Sequence, residues 1–219
     1  MGQIYQELHE LFDNENKEEA VMYILNKLER NEIDIIELYV NILTPLLNDT
    51  NYKLDDKKVC IWKEHVRTAI GRTIVECCYP FVIKKREEYH SSQKGVATVL
   101  CPPEEYHDLG ARMVADFFTI AGFDTIFVGG STPYQDFYHA IPIINPKVVA
   151  ISVSNYYNLV AAKRMIEELR QKIKSPIKVV VGGYAFHEDE KAKVKAVGAD
   201  YYAHAFEDIL QIAEDGVTV

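Results

Sequence analysis

The apolar positions of this chain change rhythm once. From Gln3 to about Tyr89 they recur at spacings of three and four: Ile4, Leu8 and Leu11; Ala20, Ile24 and Leu28; Ile35, Leu38, Ile42 and Leu46; Val66, Ile70 and Ile74. Such spacing lines one stripe of a helix, so this half predicts amphipathic helices. Polar breaks at DNEN (13–16), RNEI (30–33) and NDTNYKLDD (48–56) divide it into about four helices joined by short loops, the pattern of a small bundle. Pro45 and Pro80 should each kink or end a helix, because proline lacks an amide hydrogen and its ring crowds the preceding turn.

A polar stretch, KREEYHSSQKG (85–95), reads as a linker, and after it the rhythm shortens. The β-branched runs VATVL (96–100), DTIFV (124–128), KVVAISV (147–153), IKVVVGG (177–183) and ADYYA (199–203) predict five strands. Helical patterns follow near 108–121, 133–144, 158–172, 188–196 and 206–213. Strand and helix in strict alternation predict a doubly wound (βα)5 domain with a parallel, flavodoxin-like sheet covered on both faces. Thr132-Pro133 suggests a hydroxyl cap followed by proline at the start of the second of these helices. The expected organisation is a four-helix cap domain over 1–90 and an α/β domain over 95–219.

Charge narrows the partners. With 24 Lys and Arg against 33 Asp and Glu the net charge is −9, which repels phosphate backbones and anionic lipid, so neither nucleic acid nor membrane is expected as a direct partner. No apolar run is long enough for a membrane span, and the first residues are charged where a secretory signal needs an apolar stretch, so a cytoplasmic location is expected. Cys60, Cys77, Cys78 and Cys101 lack C-x-x-C spacing and read as reduced packing or loop residues.

In an open parallel sheet, ligands bind beyond the carboxyl ends of the strands, near the point where the winding reverses. The loops there are CPPEEYHDLG, GGSTP, SVSNYY, GGYAF and HAFED. His107 stands in the first, preceded by Glu105 and followed by Asp108 and Gly110. A neutral imidazole can bind a metal through one ring nitrogen while a carboxylate accepts the N–H of the other and fixes the tautomer, a part Glu105 could play. Gly110 would let a bulky planar ligand approach the helix start. A Rossmann dinucleotide site would need G-x-G-x-x-G after the first strand, and a phospho-acceptor receiver would need an Asp ending the third; neither is present. Tyr156, Tyr157, Tyr201 and Tyr202 read as packing and rim residues, and His139, His187 and His204 as helix-face or loop residues, with His204 near a strand end.

The motif E-x-H-x-x-G (105–110) resembles the D-x-H-x-x-G loop of the cobalamin-binding domain family, with Glu105 where those proteins usually carry Asp. AISVS (150–154) resembles the serine-bearing third strand, VVVGGYAF (179–186) the glycine pair after the fourth, and GADYYAHAFED (198–208) the closing segment. Residues 42–76 are similar to the helical cap of such proteins, where a Glu-His pair lies near the upper face of the corrin; that pair is Glu64-His65 here. Photoreceptors of the family carry a tryptophan well before this pair, whereas Tyr52 and Leu54 stand in that neighbourhood and the sole tryptophan is Trp62.

The resemblance implies a base-off cobalamin, of unspecified adenosyl, methyl or hydroxo form, with His107 as lower axial ligand to cobalt. Its nucleotide tail would thread between strands one and three, lined by Ser152, Gly182 and Gly183 with Ser154 nearby. Because corrin supplies four nitrogen donors, one imidazole suffices. Loop one looks closer to the regulator type than to the D-x-H-D-I-G-K-N form of methyl carriers, so the first expectation is a non-enzymatic sensor or regulator acting through a protein output partner, with homo-oligomerisation open. The alternative is a corrinoid methyl carrier serving cobalamin-dependent methyltransferases, and the third reading is haem held by His107.

Overall fold

The computed structural model describes residues 2–49, 57–89, 92–187 and 189–215. Contacts divide the chain into two units, 1–85 and 86–219.

The first unit begins with α1 (Gly2–Asp13) and α2 (Lys17–Glu29). A third helical run follows in three pieces: α3 (Ile35–Glu37), a π-helical segment (Leu38–Leu43) and α4 (Thr44–Asn48). Asp34 starts this run by accepting the Glu37 amide at 2.9 Å, satisfying one of the donors a helix start leaves open. Pro45, expected to kink or end its helix, does not end the run. The turn before it widens, the Thr44 amide bonds five residues back to the Tyr39 carbonyl, and the Thr44 hydroxyl donates to the same oxygen at 2.7 Å. Then come α5 (Lys57–Cys77) and α6 (Tyr79–Glu88), which separate at Cys78, just before Pro80. Among the described residues the unit thus has one helical run more than the pattern predicts, and α6 takes the first residues of the expected linker. The predicted apolar stripes are its core: Leu8, Ala20, Ile24, Leu28, Ile35, Leu38, Ile42, Leu46, Ile70 and Ile74 are all buried.

The second unit alternates β1 (Val96–Leu100), α7 (Leu109–Ile120), β2 (Asp124–Gly129), α8 (Tyr134–Ile144), β3 (Val148–Ser152), α9 (Leu159–Lys172), β4 (Lys178–Gly182), α10 (Glu190–Val197), β5 (Tyr201–Tyr202) and α11 (Phe206–Glu214). All four strand pairings are parallel, in the order β2-β1-β3-β4-β5. Helices α7 and α11 pack together, as do α9 with α8 and α10, so the sheet is doubly wound. Ala97, Val99, Leu100, Val149, Ile151, Val179 and Val181 are buried along the central strands, as a sheet covered on both faces requires. The α8 start lies one residue later than expected: Pro133 is the cap, and the Thr132 hydroxyl donates to the Gly129 carbonyl at 3.2 Å. Among the described residues no helix is long and apolar enough to cross a membrane.

Strand order positions the site. β1 is flanked by β2 on one side and β3 on the other, so the chain leaving β1 reverses direction between these neighbours, and the crevice at their carboxyl ends is the place where open α/β sheets bind ligands. β1 also shifts register against β2 between Val99 and Leu100, immediately before the loop that carries His107.

Candidate functional site

The loop after β1 is built around one buried carboxylate. Glu105 has no solvent exposure. Its Oε1 accepts the His107 backbone N–H at 3.1 Å and lies 2.8 Å from the His107 ring nitrogen Nδ1. Its Oε2 accepts the amides of Ser154 at 3.0 Å and Asn155 at 2.8 Å, and the side-chain Nδ2 of Asn158 at 3.1 Å. Burial pushes this carboxyl up, but the hydrogen bonds from Asn155, Asn158 and His107 outweigh it and hold the group below the ordinary carboxylate range. An ionised carboxylate has no proton to donate, so Nδ1 of His107 carries the hydrogen between them, and in the neutral imidazole Nε2 holds the free lone pair. The His107 side chain is 63 % exposed, and among the described residues Nε2 has no hydrogen-bond partner.

The same loop is braced from the side of β2. The Ser131 amide donates to the Glu105 carbonyl at 2.8 Å, the Gly130 amide to Asp108 Oδ2 at 3.3 Å, and the Glu104 amide to the Ser131 hydroxyl at 3.2 Å. Glu104 sits in the left-handed region with φ 66°, a conformation that a non-glycine residue keeps only when its surroundings fix it. Beneath the loop, burial pushes the Cys101 thiol up to about 12, with the charges of Asp108 and Glu105 adding to it, so this cysteine is an inert packing group.

The other expected residues fall out unevenly. Gly110 is exposed on the first turn of α7, and a methyl there would meet nothing, which leaves the space above it open. Ser152 ends β3, paired with Gly182. Ser154 reaches Glu105, but through its backbone amide and not its hydroxyl. Gly182 and Gly183 are small for a reason internal to the fold. A methyl on Gly182 would lie 2.6 Å from the Ala203 carbonyl oxygen, and one on Gly183, at φ 98°, would lie 2.4 Å from that of Val153. β1 and β3 are joined by ladder pairs from Ala97–Val148 to Leu100–Ile151, so the crevice between them opens beyond their carboxyl ends. Glu64 and His65 are neighbouring exposed residues of α5 in the helical unit. Tyr52 and Leu54 lie outside the described residues. Sequence reasoning missed Ser131, Asn155 and Asn158, whose only signal is that each is a short polar residue in a loop at the carboxyl edge of the sheet.

Tyr156 and Tyr157 are exposed at that rim, joined by Tyr106 and Tyr184, while His204 stacks near Tyr202 and His187. Among the described residues no cluster of three or more His, Cys, Asp or Glu could hold a metal ion by itself. A single exposed Nε2 with its tautomer fixed fits a metal that brings its other donors along, as in a corrin.

The B12 binding domain family's sequence profile matches residues 95–213. Among curated relatives, dimethylamine corrinoid protein 2 of Methanosarcina mazei is 29 % identical over 100 residues, covering 45 % of each chain. A corrinoid protein of Desulfitobacterium hafniense is 25 % identical over 145 residues, covering 66 % of this chain and 64 % of the relative. The chain thus spans about half the length of the first curated relatives it matches. The fold is that of the Methanosarcina barkeri monomethylamine corrinoid protein structure, with a TM-score of 0.80 at 16 % identity over 98 % of both chains. A cobalamin-binding protein structure from Desulfitobacterium hafniense gives a TM-score of 0.51 at 13 % identity over 96 % of this chain and 97 % of that one.

Proposed function

Because the chain belongs to the B12 binding domain family, we propose that it is a corrinoid methyl carrier, with His107 as the lower axial ligand to cobalt. The cofactor is cobalamin, the ligand for which the family is named. One observation carries the reading: the Glu105 carboxylate fixes the proton of His107 on Nδ1 and leaves Nε2 exposed to donate. Bound cobalamin would supply a cobalt able to accept a methyl group and give it up again. Glu105 keeps the imidazole oriented through its contact with Nδ1. Asp108, through the Gly130 amide, ties the loop to β2. Ser152, Ser154, Gly182 and Gly183 edge the crevice proposed for the nucleotide tail, and Gly110 leaves room above α7.

The carrier reading takes support from the corrinoid proteins of amine-named systems among the relatives. The sensor or regulator expected from loop one draws none from them, and haem draws none either. The carrier needs methyltransferase partners, one to load the methyl group and one to remove it.

The test is reconstitution. The purified chain, incubated with hydroxocobalamin and passed through a sizing column, should retain it with an absorption spectrum that His107→Ala alters. Loaded with methylcobalamin and mixed with a methyltransferase and a thiol acceptor, it should deliver the methyl group. A chain that emerges colourless after every corrinoid supplied sinks the reading, and one that binds cobalamin but exchanges no methyl group with any methyltransferase loses the carrier role.

A further inference from the structure

We infer that Asn158 is a positioning residue for His107, acting through Glu105 and the strained turn beside it; the inference rests on His107 as the cobalt ligand. The Asn158 side chain does not cap α9, the ordinary use of asparagine at a helix start. Instead its amide nitrogen turns back across the sheet edge and meets two acceptors, Glu105 Oε2 at 3.1 Å and the Glu104 carbonyl at 3.4 Å. An amide nitrogen has two hydrogens, so one group serves both.

Those acceptors are the two parts of loop one that need holding. Glu104, at φ 66°, must be kept in its left-handed conformation for the chain to turn Glu105 inward. Glu105 must then be kept at the distance where its other oxygen meets His107. Asn158 does both from a fixed base: its own backbone amide bonds to the Asn155 carbonyl at 2.9 Å, and Asn155 Oδ1 accepts the Tyr157 amide at 3.1 Å, closing a single 3-10 turn over Tyr156–Asn158. The carboxylate here is a glutamate, one methylene longer than the family's usual aspartate. Its two oxygens divide the contacts: Oε1 meets His107, and Oε2 meets the amides of Ser154 and Asn155 and the side chain of Asn158. Glu105 and Asn158 therefore form a matched pair, and the serine expected from the third strand contributes only a backbone N–H.

Substitution separates donation from packing. Asn158→Ala removes both donors. Asn158→Asp keeps the shape but sets an acceptor against a carboxylate and a carbonyl, so it should be the worse of the two if the role is donation, and close to wild type if the role is filling space. In the full chain loaded with hydroxocobalamin and reduced with titanium(III) citrate, the nitrogen splitting of the cob(II)alamin EPR signal reports the fraction with histidine on cobalt. We expect Asn158→Ala to lower the histidine-on to histidine-off ratio about tenfold, the lower end of the effect of losing an outer-shell partner, and Asn158→Asp to lower it further. In the unloaded chain, nitrogen-15 NMR of His107 should show the Nδ1–H tautomer in the wild type and a mixture in both variants. A splitting and a tautomer unchanged in Asn158→Asp overturn the inference. If the wild type retains no corrinoid, the proposed function fails, and the tautomer measurement alone decides whether Asn158 positions the ring.

Discussion

Glu105→Gln should both loosen the sheet-edge loops and spoil the proposed axial ligand. Glutamine fits the same space but exchanges one acceptor oxygen for an NH2 group. With its carbonyl toward the loop after β3 it keeps the donors from Ser154, Asn155 and Asn158, and its NH2 then faces the backbone N–H and the Nδ1–H of His107. The ring can escape by moving its proton to Nε2, which leaves the backbone N–H unpaired and protonates the nitrogen proposed to bind cobalt. The other orientation orphans three donors and is worse. Hydrogen bonds to a charged group contribute about 1.5–3 kcal/mol, and the easier burial of a neutral amide offsets part of the loss, so a net destabilisation of about 2–4 kcal/mol is expected at neutral pH. Urea unfolding followed by circular dichroism measures it.

The pH dependence has a definite sign. The folded-state pKa of Glu105 lies below its ordinary value of 4.5, so its contribution is fully present above that value and disappears as pH falls through the lower, folded-state one. The gap between wild type and Glu105→Gln should therefore close in acid. Equal urea midpoints at neutral pH, or a gap that widens on acidification, would refute the reasoning.

Other outcomes follow from the same geometry. Gly183→Ala places a methyl 2.4 Å from a backbone oxygen at φ 98°, where no flexible side chain can yield; it should lower stability by about 3 kcal/mol or more, read as a drop in thermal midpoint. Gly110→Ala, whose methyl meets nothing among the described residues, should leave stability within about 0.5 kcal/mol while weakening hydroxocobalamin retention if the corrin lies over the start of α7. Iodoacetamide near pH 8, followed by peptide mapping, should label exposed Cys77 and spare Cys101: a thiol at about 12 is ionised in roughly one molecule in ten thousand there, and equal labelling would show that the loop opens.

Much of the second unit was legible because its elements are short and their periods unambiguous. Buried strands between amphipathic helices leave few alternatives, and β1 to β4 lie within a residue or so of the predicted runs. The first unit was less so at its prolines, since whether a proline stops a helix depends on whether the preceding turn can widen, as it does before Pro45. His107 and Glu105 stand two residues apart and could be paired on the page. Asn155 and Asn158 lie some fifty residues further along, and only the β1–β3 neighbourhood brings them to the same carboxylate. The glycine pair carried a local pattern that close backbone approach also requires. Loop one, read alone, pointed to a regulator; its few residues record how a ligand is held and not what is done with it.

The double bracing of the β1–α7 connection has a consequence for descent. Between Leu100 and Leu109, side-chain and backbone bonds run to residues near 130 on one flank and near 155 on the other, so adding or deleting a residue there would break the match on both at once. Natural variants of this chain should therefore conserve the number of residues in that connection more strictly than their identity. Length changes should accumulate at the opposite rim, in turns such as 173–177, which carry no such cross-links to loop one.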